Sequence, residues 1–274
     1  MISSLLSIPH AVLLGIVEGI TEFLPISSTG HLIVVGRLIG FGVGDTRIAG
    51  DTYSVVVQFG AILAVLVLYR VRIWSMVKGL IGRDVQGRGA LIAVIAAFLP
   101  AAVLGVAVGD SIKNELFGPV PVMLAWLVGG VVLLVWQPKG GRLELHLLPL
   151  RAAVVIGLAQ SLAFWPGVSR SLVTIIGGLL VGLSLAAAVE FSFLLGLITL
   201  SAGAFLDLAK HGGELVDQFG LKAPLAGLVF AFITALVSVR WMVQWLGTRS
   251  LRVFGWYRIG AAATVLVLLA TNRL

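Results

Sequence analysis

The chain has 274 residues, of which 59% are hydrophobic and only 11% charged, and its mean hydropathy of +1.10 is too high for a soluble domain of this length. The formal net charge of +7 would by sum alone fit a nucleic-acid binder. In a membrane protein the placing of charges matters more than their total, so no nucleic acid is expected as a partner. The absence of cysteine excludes disulfides, thiolate metal sites and cysteine nucleophiles. The first basic residue is Arg37, so the start of the chain lacks the basic region of a cleavable signal, and the first apolar segment is expected to remain in the mature protein.

In chain order, residues 10–24 form an apolar helical pattern about 22 Å long, too short to cross a ~30 Å hydrocarbon core. It runs into Pro25 and a hydroxyl-rich string, SSTGH, ending at His31. Segments of spanning length follow at about 52–69, 90–108 and 120–136. A second broken pattern, GLAQSLAFWPGVSRSLVT, covers 157–174 and breaks at Pro166, and spans then recur at 185–206, 223–239 and 253–271. The intervening stretches 70–88, 137–151 and 240–252 are rich in arginine and lysine, which places them in the cytoplasm. Those around Asp45 to Asp51, at Asp110, Lys113 and Glu115, and from Asp207 to Lys222 are balanced or acidic and face outward.

For the broken segments to fit this alternation, each must enter and leave on one side, as a re-entrant helix pair. One dips in from outside, the other from inside, and each is followed by three spans. The expected fold is therefore an all-α integral membrane protein with six transmembrane helices plus two re-entrant helix pairs, arranged as an inverted-topology repeat. Repeat one covers about 1–136 and repeat two about 152–274 of a single membrane domain. Sequence correspondences support the duplication: Gly15 matches Gly157, Glu18 matches Gln160, Phe23 matches Trp165, and after a one-residue slip Pro25 matches Pro166 and Ser28 matches Ser169. VVVQFGAILAVL at 55–66 likewise parallels AAVEFSFLLGLI at 187–198, setting Gln58 against Glu190.

Five charges remain inside these membrane segments: Glu18, Glu22, Arg170, Glu190 and Arg258. Intramembrane charges are costly and mark functional sites. Glu18 and Glu22, four apart, share a helix face, and their repulsion calls for a proton, an arginine or a divalent cation. Oxygen ligands of this kind suit Mg²⁺ or Ca²⁺. Ser169, Arg170 and Ser171, with Thr174 a turn later, open a half-helix after a proline break. Free N–H groups, the positive helix end, a guanidinium and hydroxyls would then surround one point, which fits a phosphate or diphosphate. Ser27, Ser28 and Thr29 form the mirrored helix start as caps or ligands, and Ser28 and His31 share a face. Ser28 is the expected nucleophile, with His31 as base and Glu22 as orienting acid; the competing reading has Ser28 bind phosphate while His31 or Glu22 activates water. Glu190 and Arg258 are read either as a structural ion pair or as functional charges, with neither role fixed, and the tryptophans at 74, 126, 136, 241, 245 and 256 as interface anchors.

EGITEFLPISSTGH and PGVSRSLVT together resemble the signature motifs of the bacterial undecaprenyl-diphosphate phosphatases, also called bacitracin-resistance proteins, and the resemblance extends over essentially the full chain. It implies a hydrolase of the bacterial cytoplasmic membrane, cleaving undecaprenyl diphosphate to undecaprenyl phosphate and inorganic phosphate with the aid of a divalent cation, and so recycling the lipid carrier for cell-wall polymers. Glu18 and Glu22 fill its glutamate-rich motif, His31 closes the first loop, and Ser169, Arg170 and Thr174 fill the second. The resemblance and the outward first pair together imply a pocket opening to the extracytoplasmic side. The alternative is a lipid-phosphate transporter using the same anion site, because inverted repeats with broken helices are typical of carriers. The expected partners are the polyprenyl diphosphate and the bilayer, with homodimerisation left open.

Overall fold

A computed structural model describes the backbone of residues 6–42, 47–247 and 250–274, and their side chains except at 47–49, 51–52, 108–111, 113–114, 208 and 210–218. The charges expected in outward loops at Asp45, Asp51, Asp110, Lys113, Lys210, Glu214 and Asp217, and inside at Arg249, lie outside the described side chains.

Lipid offers no hydrogen bonds, so the apolar segments satisfy their backbones internally, as helices. Eleven α-helices are present among the described residues: α1 (Ile8–Thr21), α2 (Ser28–Leu38), α3 (Arg47–Leu68), α4 (Arg70–Leu80), α5 (Val85–Leu116), α6 (Pro119–Val135), α7 (Leu150–Gln160), α8 (Arg170–Leu180), α9 (Leu185–Phe219), α10 (Lys222–Leu246) and α11 (Arg252–Ala270). Helices α3, α5, α6, α9, α10 and α11 coincide with the six expected spans. Four of them, α5, α9, α10 and α11, are long and apolar enough to cross a bilayer, and the bent α3–α4 pair passes as a fifth span. Helix α6, with 17 residues, is shorter than that measure. The chain is an all-α membrane protein.

Two departures from the expected outline concern stretches expected as loops. The basic stretch after residue 69 is not a plain loop: the chain bends by 78° and continues as α4. Asp84 then caps α5 by accepting from the Gly87 N–H at 2.8 Å and from the Ser75 hydroxyl at 2.6 Å, and these bonds hold its carboxyl below the usual range. Helix α9 runs on to Phe219, because continuing a helix satisfies its carbonyls where a loop would need other partners.

The packing has a crosswise pattern. Helix α1 lies against α10 and α7 against α5, while α3 meets α9 and α6 meets α11. Glycines set the closeness of the crossed pairs: a Cβ at Gly15 would sit 2.2 Å from the Gly227 carbonyl oxygen, and one at Gly157 would sit 2.2 Å from that of Ala97. Backbone therefore touches backbone at equivalent places. The main apolar core, with Phe23, Phe191, Phe193, Ile156 and Ile175 buried in it, lies around the two broken segments.

Candidate active site

Each broken segment builds its turn in the same way. Helix α1 ends at Thr21 and α2 begins at Ser28; α7 passes through a 3-10 turn at Ser161–Phe164 before α8 begins at Arg170. The capping residues are Ser27, with φ 70° and ψ 101°, and Ser169, with φ 76° and ψ 112°. Left-handed serines cost on the order of 1–3 kcal/mol each, so the surroundings must hold them in place. Each hydroxyl accepts from the N–H three residues on, of Gly30 at 3.4 Å and of Leu172 at 3.3 Å. Ser27 Oγ also accepts from the Gly167 N–H at 3.1 Å, and Ser171 Oγ donates to the Leu24 carbonyl at 2.8 Å, so the two turns are stitched together. The cap geometry pairs Ser27 with Ser169, which corrects the expected match of Ser28 with Ser169: the register set by Gly15 and Gly157 continues to the helix starts without a slip.

At this junction Ser28 Oγ donates to Glu22 Oε2, while Arg170 Nη2 donates to Glu22 Oε1 at 2.9 Å. Arg170 Nη1 donates to the Ser192 carbonyl at 3.3 Å, and its guanidinium lies 5.6 Å from the Phe23 ring centroid. Glu22, Ser27, Ser28 and Ser169 are all buried. A cavity of about 180 Å³ is lined by Glu22, Ser27, Ser28, Thr29, Ser169 and Arg170, together with Gln58, Gln160 and Thr199. The structure thus brings together a hydroxyl, a carboxylate and a guanidinium, with two helix N-termini beside them, in a setting that strengthens each charge.

Other expected site residues sit differently. His31 Nδ1 donates to the Ser27 carbonyl at 2.6 Å, and its Nε2 is hydrogen-bonded with the Tyr257 hydroxyl at 2.7 Å. Its ring rests on Trp126, with centroids 4.6 Å apart, and Ser28 is bonded to Glu22 instead. The Ser171 and Thr174 hydroxyls serve as ties, Thr174 Oγ1 bonding Ser192 Oγ at 2.7 Å and the Arg170 carbonyl at 2.9 Å. Trp126 is not an interface anchor: it is buried and donates from Nε1 to the Ile26 carbonyl at 2.8 Å.

The Glu190–Arg258 ion pair is not formed. Glu190 accepts from two nitrogens of Arg72, Nε at 2.7 Å and Nη2 at 3.4 Å, because α4 turns sideways at the 78° bend and carries Arg72 to α9. Arg258 is bonded to four backbone carbonyls instead. Sequence reasoning also passed over Gln58, Gln160 and Thr199 as cavity residues. The signal for two of them was present, since Gln160 is the counterpart of Glu18 and Gln58 that of Glu190.

Glu18 is fully buried one turn before Glu22, with Glu22 and Ser28 as its polar neighbours, and among the described residues its carboxylate oxygens make no hydrogen bond of good geometry. Among the described residues no group of three or more His, Cys, Asp or Glu could form an all-protein metal cage. Two carboxylates a turn apart are the donors a cation such as Mg²⁺ would take, since it binds one or two carboxylates and leaves the rest of its shell to phosphates and water.

Facing half-helix starts thus converge on a carboxylate, a hydroxyl and an arginine inside an apolar bundle, an arrangement with the donors an anion would need. The chain belongs to the family described as Bacitracin resistance protein BacA, whose pattern matches residues 11–264. Three relatives illustrate the likeness. Undecaprenyl-diphosphatase 2 of Rhodospirillum rubrum is 47% identical over 261 residues, covering 93% of either chain. Undecaprenyl-diphosphatase of Sorangium cellulosum is 44% identical over 263 residues, 93% of this chain and 84% of that one. Undecaprenyl-diphosphatase 1 of Chromobacterium violaceum is 43% identical over 261 residues, 94% of either chain.

Proposed function

We propose that this chain hydrolyses undecaprenyl diphosphate to undecaprenyl phosphate and inorganic phosphate, returning the lipid carrier to cell-wall synthesis. The observation that carries this reading is Glu22 shared between the Ser28 hydroxyl and the Arg170 guanidinium at the cavity wall, and the named relatives agree with it.

Arg170 takes the terminal phosphate, exchanging its bond to Glu22 for phosphate oxygens and countering the charge that builds on the transferring group. Glu22 then accepts the Ser28 proton as Ser28 Oγ attacks phosphorus. The P–O bond to the lipid phosphate breaks, undecaprenyl phosphate leaves with the bridging oxygen, and water releases phosphate from Ser28 in a second displacement. In the competing course Glu22 activates a water directly and Ser28 only binds phosphate. Ser27, Thr29 and Ser169 add donors around the phosphates, while Ser171 and Thr174 act by holding Arg170's helix. Glu18 and Glu22 would hold the divalent cation, which when bound neutralises phosphate charge.

The same reading takes the chain as two fused repeats, about 1–136 and 152–274, in the bacterial cytoplasmic membrane, with the pocket opening to the extracytoplasmic side. Release of phosphate from undecaprenyl diphosphate by purified protein in detergent tests the function. Uptake of lipid phosphate into vesicles without release of phosphate would instead favour a carrier.

A further inference from the structure

Arg258 is fully buried, and the hydrogen bonds of its guanidinium go to backbone carbonyls. Its Nη1 donates to the Pro25 and Val168 carbonyls, each at 3.2 Å, and its Nη2 to those of Gly167 at 2.8 Å and Ala125 at 2.9 Å. One side chain from α11 therefore grips the first break, the second break and α6 together. Helix α6 is shaped to admit it, since a Cβ at Gly129 would lie 2.3 Å from Nη2.

The peptide plane turns this grip into an aim. In a trans peptide the C=O and the following N–H point to opposite edges. With the Val168 carbonyl drawn to Arg258, the N–H of Ser169 is turned the other way, and Ser169 lines the cavity whereas Val168 does not. Trp126 does the same at the first break: it holds the Ile26 carbonyl at 2.8 Å, turning the Ser27 N–H away, and Ser27 lines the cavity whereas Ile26 does not. Trp126 and Arg258 are separated by the same interval as Gln58 and Glu190, so they occupy equivalent places in the two halves.

We infer that Arg258 is a positioning residue: by pinning carbonyls at both breaks it aims the Ser169 main-chain amide at the substrate phosphate and fixes the approach of Ser28 to Arg170. The inference rests on the phosphatase reading. Lysine keeps the charge but has neither the fork nor the reach for four carbonyls. In purified full-length protein, Arg258→Lys is expected to keep a native-like melting profile and to lose about a hundredfold in kcat with KM much less affected, because small misplacement of reacting groups has effects of that order. Methylguanidinium should partly restore turnover to Arg258→Ala. Trp126→Phe, which removes only the indole N–H, should lose about tenfold, and Arg240→Gln, which alters an exposed arginine of α10 away from the breaks, should leave turnover nearly unchanged. Normal kcat in Arg258→Lys overturns the inference, as does full turnover in Trp126→Phe combined with an Arg258→Lys loss that merely follows unfolding. If the wild-type protein releases no phosphate, the phosphatase reading fails separately. Protection against thermal unfolding by inorganic diphosphate then decides about Arg258: its loss in Arg258→Lys supports the positioning role, and its retention overturns it.

Discussion

Ser28 and Arg170 hold the same place in the two halves of the chain, each the first residue of a half-helix behind a left-handed serine cap. Equivalent backbone presents a hydroxyl in one half and a guanidinium in the other, and both side chains reach the two oxygens of Glu22. One fold element, used twice, thus supplies the proposed attacking group and the group that receives the negative charge.

Ser28→Ala removes the hydroxyl without adding bulk and is expected to leave turnover nearly abolished. Rapid quenching of the wild-type protein with terminally labelled substrate should trap phosphate on Ser28. Substantial turnover in Ser28→Ala, with no trapped intermediate in the wild type, would assign the attack to water.

Arg170→Lys should lose about a hundredfold or more in turnover, because a point charge cannot reproduce the two-pronged contact. Gly196→Ala should reach a similar end without touching a charged residue: a Cβ there would lie 1.6 Å from Arg170 Nη1, so the guanidinium must leave its bond to Glu22. Steady-state kinetics on both, alongside melting curves to check folding, tests the point; unchanged turnover in Gly196→Ala would show that Arg170 works from another position.

Chelation of divalent cations is expected to abolish phosphate release, and re-addition of Mg²⁺ or Ca²⁺ to restore it. Glu18→Gln should raise the cation concentration needed for half-activation, since it removes a fully buried carboxylate one turn from Glu22. An unchanged titration would move the cation away from Glu18.

The chain contains no cysteine, so single cysteines can report sidedness. Introduced at Gln86 and at Asn272, both exposed, they should be labelled from opposite faces of the membrane, Gln86 from the cytoplasm. Labelling of both from outside would refute the inverted arrangement.

Features written in local sequence proved readable. The proline breaks, the hydroxyl-rich helix starts and the four-residue spacing of Glu18 and Glu22 all lie where the motifs put them, because each depends on neighbours along the chain. What escaped was the choice of partner. Helical spacing puts Ser28 and His31 on one face, but His31 is engaged by the Ser27 carbonyl and Tyr257, and Ser28 turns back to Glu22 across the break. Glu190 and Arg258 looked like a pair because the bend that brings Arg72 to Glu190 lies in a stretch read as a loop. Trp126 resembled the other tryptophans near span ends, and only the packing of α6 on the first break separates it from them.

The 78° turn between α3 and α4 gives the protein a waterline. Where α3 crosses a bilayer, α4 would run along its surface, carrying Arg70, Trp74 and Lys78, with Val71 and Trp74 well exposed, a composition suited to the boundary between headgroups and acyl chains. The Arg72–Glu190 bond fastens this float to α9, the same helix whose Ser192 and Gly196 seat Arg170. If Arg170 acts as proposed, turnover in vesicles should vary with acyl-chain length, and cutting the Arg72–Glu190 link should flatten that dependence.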